Sequence, residues 1–137
     1  MRGRDAAGRP VPPDSPDAVE QVPEVERTPD EALDLAQALL DAGRAFYAHD
    51  VLEAAWKAAP PAEKELWQGL AQVCVGLTHE QRGNAVGAAR LLRRGAGRLR
   101  DAAAAHGVRP GEVAARAEQL ADDVEAGTPG DRSLRLR

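Results

Sequence analysis

His49, Glu53 and Trp56 are the residues through which this chain could do chemistry. Spacings of four and seven put them on one face of a helix, within about 60° of one another. The apolar positions Ala48, Leu52, Ala55 and Ala59 run alongside, so the trio stands at the edge of a buried stripe rather than in open solvent. An imidazole beside a carboxylate in such a place serves one of three ends: a metal-ligand pair, an acid–base pair, or a structural hydrogen bond.

A second polar line runs through the next helical segment, where Gly69, Gln72, Gly76, His79 and Gly83 share a stripe separate from Leu66, Leu70, Val73 and Leu77. Glycine inside a helix costs about 0.5–1 kcal/mol relative to alanine, so two on one face signal a close approach by a backbone or a ligand. The sharper expectation is that Gln72 and His79 face His49 and Glu53 and complete one polar pocket. The plainer one is tight helix packing, with Gln72 and His79 as satisfied polar groups. In the first case His49, Glu53 and His79 form a two-histidine, one-carboxylate set that suits a divalent metal, zinc or iron, with open positions. Nucleophilic catalysis has little to work with, since the serines are Ser15 and Ser133, near the two ends, and Cys74 has no recognisable activating neighbour. A phosphate-cradling loop is also missing, because Gly95-Ala96-Gly97 falls mid-helix with no preceding strand. Whether the chain is an enzyme stays open; general acid–base or metal-assisted hydrolysis by His49 and Glu53 is the chemistry left.

Punctuation marks the helices that must carry these groups. Thr28-Pro29-Asp30-Glu31 is a capping box opening a helix that ends near Gly43. A second helix runs from about Phe46 to Ala59 and is closed by Pro60-Pro61; a third runs from Pro61 to about Arg82. Asn84 caps a fourth, expected to reach His106 and Gly107, and Pro110 opens a fifth to about Ala126. No segment is expected to form a strand. Offsetting the chain by about 40 residues superposes Gly43 on Gly83 and Ala48 on Ala88, the logic of tetratricopeptide-like hairpins. The fold expected is all-α, a compact bundle of four to five helices with tetratricopeptide-like antiparallel hairpins. Residues 1–27, with Pro10, Pro12, Pro13, Pro16 and Pro23, are expected to be a disordered leader, 28–126 the helical domain, and 127–137 a disordered basic tail.

Composition narrows the partners. In 137 residues, 43% apolar and 29% charged, there is room for one domain with tails. Aromatics supply only 3%, so alanine, leucine and valine must fill the core and helices must approach closely. A net charge of -4 argues against nucleic acid, although Arg90, Arg93, Arg94, Arg98 and Arg100 line one side of the fourth helix. One cysteine excludes an internal disulfide and a cysteine-based zinc cluster, and points to a reducing cytoplasm. No apolar run reaches the ~20 residues of a membrane span, and the arginines near Met1 have no apolar run behind them to make a secretory signal. The competing function is a non-catalytic helical protein-interaction module, with a protein partner or a second copy as its ligand and Trp56 and Trp67 as anchors.

The run Phe46-Tyr47-Ala48-His49-Asp50-Val51-Leu52-Glu53-Ala54-Ala55-Trp56 resembles the H-x-x-x-E-x-x-W signature of the "domain of unknown function 309" family. A second similar block runs from Gln68-Gly69-Leu70-Ala71-Gln72 through Leu77-Thr78-His79-Glu80-Gln81-Arg82-Gly83-Asn84, and the two blocks together span roughly residues 30–105. The resemblance implies a compact helical bundle and a His/Glu pair suspected of binding metal, without an established activity. Asp50 departs mildly from it, at a place where the family favours glutamate.

Overall fold

The first helix begins where its cap dictates. Thr28 Oγ1 accepts from the Glu31 amide at 3.1 Å and Glu31 Oε1 accepts from the Thr28 amide at 2.9 Å, which satisfies two donors at the exposed start of α1 (Pro29–Asp41). A three-residue turn leads into α2 (Ala45–Ala58), and Pro60 and Pro61 end it, passing through a 3₁₀ turn over Pro61–Glu63 into α3 (Lys64–Gln81). Asn84 Oδ1 accepts from the Gly87 amide at 3.0 Å and starts α4 (Ala85–Arg100), while Pro110 opens α5 (Pro110–Ala126). The computed structural model describes residues 3–137; Met1 and Arg2, the start of the expected leader, lie outside them.

Each helix packs on its neighbour in sequence, α1 on α2, α2 on α3, α3 on α4 and α4 on α5, so the fold is an all-α bundle. The α3–α4 contact is the most intimate, as an aromatic-poor core requires. A Cβ on Gly76 would stand 3.0 Å from the Leu92 nitrogen and 3.1 Å from the Ala88 carbonyl oxygen, and one on Gly95 would stand 3.0 Å from both the Gly69 oxygen and the Val73 nitrogen. Hydrogen at those positions lets the two backbones touch. Between them Leu66, Trp67, Leu70, Val73, Cys74, Leu92, Ala96 and Leu99 are buried.

Three expectations are corrected. The fourth helix stops at Arg100, not at His106: Ala105 and Val108 form a bridge around His106 and Gly107, whose φ angles are +53° and +79°. Alanine propensity is a weak prior, and here the buried Val108 and the contacts of His106 prevail.

The leader, expected to be disordered and free of strands, forms a small antiparallel hairpin, β1 (Gly3–Arg4) with β2 (Pro10–Val11). It is held because its carbonyls find donors on the bundle. Tyr47 donates to the Asp5 oxygen at 3.1 Å and Arg82 donates twice to the Ala7 oxygen, while Val19 and Val22 pack against the core.

The tail beyond Ala126, expected to be disordered, lies along the bundle with Leu134 and Leu136 buried. The packed unit is therefore larger than residues 28–126. Its arginines suggested a solvated segment, but leucines on alternate residues give an extended chain one apolar edge.

Candidate functional site

Helix α2 carries the candidate site on the edge away from Ala48 and Leu52, which are fully buried. His49 Nε2 lies 2.9 Å from Glu53 Oε2, one turn on, and His49 Nδ1 lies 3.4 Å from Asp50 Oδ1. Both ring nitrogens therefore look at carboxylates. The second Glu53 oxygen, Oε1, is 3.3 Å from Lys57 Nζ. The His49 side chain is 22% exposed and that of Glu53 38%, which makes the pair accessible from solvent without being immersed in it. Phe46 tilts against the imidazole at a centroid distance of 6.2 Å.

Among the described residues, His49, Asp50 and Glu53 offer donor atoms within 4.8 Å of one another, the grouping suited to an ion. An imidazole nitrogen and a carboxylate oxygen each about 2.1 Å from one tetrahedral zinc ion stand about 3.4 Å apart, so the 2.9 Å His49–Glu53 contact needs only a small side-chain movement to admit an ion. An imidazole gives such an ion one nitrogen; the other then donates to a partner that fixes the ring. Asp50 occupies that second position.

The remaining expected site residues are placed elsewhere. Trp56 sits beyond Glu53 on α2, half-buried, with Lys64 Nζ 5.7 Å from its ring centroid and 2.6 Å from its carbonyl oxygen. Gln72 Oε1 accepts from Arg98 Nε of α4 at 3.1 Å. His79 Nδ1 accepts from the Asn84 side-chain amide at 3.1 Å, at the α3–α4 turn. The glycine stripe of α3 thus faces α4, and the pocket expected from His49, Glu53, Gln72 and His79 is not assembled. Helical periodicity defines a stripe but not the neighbour that meets it; the small residues on α4 decide that here.

A cleft of about 1090 Å³ opens beside the pair, between residues 21–28 and the exposed side of α2. Its rim carries both signs, Glu24, Glu26, Glu31, Asp50 and Glu53 with Arg4, Arg27 and Lys57, over an apolar floor of Val22, Val51 and Ala55; neither His49 nor Trp56 lines it.

Residues 33–91 match the family model described as Domain of unknown function (DUF309). The segment contains the candidate pair and most of the helices that place it, from α1 into the first half of α4. The chain is also similar to the uncharacterized protein YpuF of Bacillus subtilis (strain 168), with 44% identity over 48 residues. That similarity covers 34% of this chain and 28% of the Bacillus protein. No solved structure matches the chain.

Part of the polar chemistry crosses the boundary of the DUF309 segment. Glu63 Oε1 accepts from Trp67 Nε1 at 3.1 Å and from His106 Nε2 at 2.8 Å. The Trp67 indole is buried and tilts over the imidazole at 5.9 Å. The His106 hydrogen bond, followed by that of Trp67, holds the Glu63 carboxyl below its usual range. Sequence reading missed this trio; its one signal is His106-Gly107, a turn dipeptide in which both residues take positive φ.

The other chemistry-bearing residues of the DUF309 segment are structural. Burial pushes the Cys74 thiol up to about 12, too high for a thiolate nucleophile. Beyond it on α4, Arg93 pairs with Asp122 and Glu125, Arg98 with Glu65, and Arg100 with Glu118. Among the described residues no helix is long and apolar enough to cross a membrane.

Proposed function

We propose that this DUF309 protein is a ligand-binding helical domain whose site holds a divalent cation, zinc or iron, on His49 Nε2 and Glu53 Oε2. Asp50 Oδ1, 3.4 Å from His49 Nδ1, is near enough to take up that nitrogen's hydrogen bond and fix the ring once an ion holds Nε2. The observation that carries the reading is the clustering of His49, Glu53 and Asp50 donor atoms within 4.8 Å of one another on one turn of α2, with a carboxylate near each ring nitrogen. Two protein donors leave coordination positions free for water or a small ligand. An ion bound there would act as a Lewis acid. Lys57 keeps Glu53 Oε1 neutralised and leaves Oε2 to the ion.

Zinc and ferrous iron titrated into chelator-treated protein test this reading. One equivalent is expected to bind the unsubstituted chain, none to bind His49→Ala or Glu53→Gln, and Asp50→Asn to weaken binding about 10–100-fold. Equal uptake by the unsubstituted chain and His49→Ala would remove the ion from the site.

A second reading, a helical protein-interaction module, is favoured by the cleft on α2, with its apolar floor and charged rim. The two part at His49→Ala, which abolishes ion uptake under the first and leaves association through the cleft intact under the second.

A further inference from the structure

The C-terminal strap is bound to the bundle as a peptide ligand is bound to a groove. Burial alternates along Asp131–Arg137, with Leu134 and Leu136 inward and Ser133, Arg135 and Arg137 outward. The strap follows one stripe of α1, Asp30, Asp34, Gln37 and Asp41, whose spacing of four, three and four keeps them on a single face. Gln37 reads the backbone as a neighbouring strand would: its Nε2 donates to the Leu134 oxygen at 2.9 Å and its Oε1 accepts from the Leu136 amide at 2.8 Å. Arg137 forks between Asp30 at 2.7 Å and Asp34 at 2.8 Å and also donates to the His106 oxygen. From the other side Arg116 of α5 donates to the Asp131 and Ser133 oxygens, and Arg132 reaches Glu80 of α3.

The first and last helices are not neighbours in the packing order, so the strap fills the seam that the other helices leave between them. Its covalent link to α5 is Gly127-Thr128-Pro129-Gly130, with φ of +68° at Gly127 and +152° at Gly130. Such a linker can re-aim the strap without disturbing a helix. Segments held this way, by side-chain recognition of an extended backbone and two apolar pockets, exchange between copies at little cost.

We propose that the α1–α5 seam is a recognition groove for an extended Leu-x-Leu-Arg segment, and that the segment it accepts in trans is the tail of a second copy of this chain. The docked tail of the same chain competes at the high effective concentration of a short tether, so the exchanged form needs high protein concentration or a disabled tail. This inference is independent of the ion on α2.

Complementation between two full-length variants tests it. Leu134→Asp/Leu136→Asp has an open groove and no usable tail; Gln37→Ala/Asp34→Asn has a tail and a damaged groove. Mixed, they are expected to form a one-to-one heterodimer by analytical ultracentrifugation, with each alone monomeric. Two folded variants that stay monomeric when mixed overturn the proposal. If the leucine variant does not fold, the unsubstituted chain decides. Excess synthetic Asp-Arg-Ser-Leu-Arg-Leu-Arg peptide is expected to displace the resident tail and speed Leu136 amide exchange about tenfold. An unchanged rate overturns the proposal.

Discussion

Two histidine–carboxylate pairs of nearly equal length sit in this molecule, and they do unlike work. His49 and Glu53 meet at 2.9 Å within one helix, a turn apart, with both side chains partly open to water. His106 and Glu63 meet at 2.8 Å across 43 residues, and the same carboxylate oxygen also accepts a hydrogen bond from a buried indole. The first pair costs the chain almost no order to form, because the helix brings its members together whatever they are. The second fixes an irregular loop on the mouth of α3 and holds His106 at φ +53°, where non-glycine residues are rare. An interaction that closes a long loop is placed to carry stability; one that any helix would make is free to be spent on binding.

Truncation separates the two most sharply at Glu63. Glu63→Ala strips two hydrogen bonds at once and leaves the Trp67 donor buried without a partner, a loss of about 2–3 kcal/mol. Urea unfolding followed by tryptophan fluorescence measures it. A midpoint within error of the unsubstituted chain would make the trio ornamental and the contrast with α2 empty.

Acid distinguishes them next. The Glu63 carboxyl is held below its ordinary 4.5, first by the His106 hydrogen bond and then by that of Trp67. A depressed folded value means that the unfolded chain binds the proton more readily. The contribution is therefore complete above about pH 4.5 and is lost as pH falls through the lower folded value. Glu63→Gln should destabilise the chain at pH 6 and flatten the acid limb of its stability profile below pH 4.5. Parallel profiles for the two proteins would show that another group governs that limb.

How much of this was legible in the sequence follows the same division between near and far. Thr28 with Glu31, Asn84, and the prolines at 29, 60, 61 and 110 announce helix boundaries because capping is chemistry among adjacent residues. The His49–Glu53 spacing reads directly as a contact for the same reason. Gln72 and His79 lie on the stripe their spacing predicts, yet that stripe meets α4 and not α2. Gly95 and Ala88 hold the missing information, since small residues on two segments match each other before either matches a ligand. Glu63 and Trp67 are one turn apart, but nothing local joins His106 to them across 43 residues. The tail did have a local pattern, leucine alternating with arginine from Leu134 to Arg137, but its charge made it look like a solvated end.

The smallest effect belongs to the pair that looks most like a site. In chelator-treated protein at neutral pH, a double-mutant cycle between His49→Ala and Glu53→Ala should return a coupling of only about 0.3–0.5 kcal/mol, the scale of an i,i+4 pair on an accessible helix face. Lys57 and Asp50 each offer a substitute partner when one member is removed, which lowers the coupling further. The same cycle between Glu63→Ala and His106→Ala should give a clearly larger value, because among the described residues neither has a second ion-pair partner and the loop must be closed for them to meet. Equal couplings would mean that loop closure adds nothing to the second pair. A coupling at His49–Glu53 above about 2 kcal/mol without metal would mark it as a structural clasp and leave α2 without a pair held in reserve for an ion.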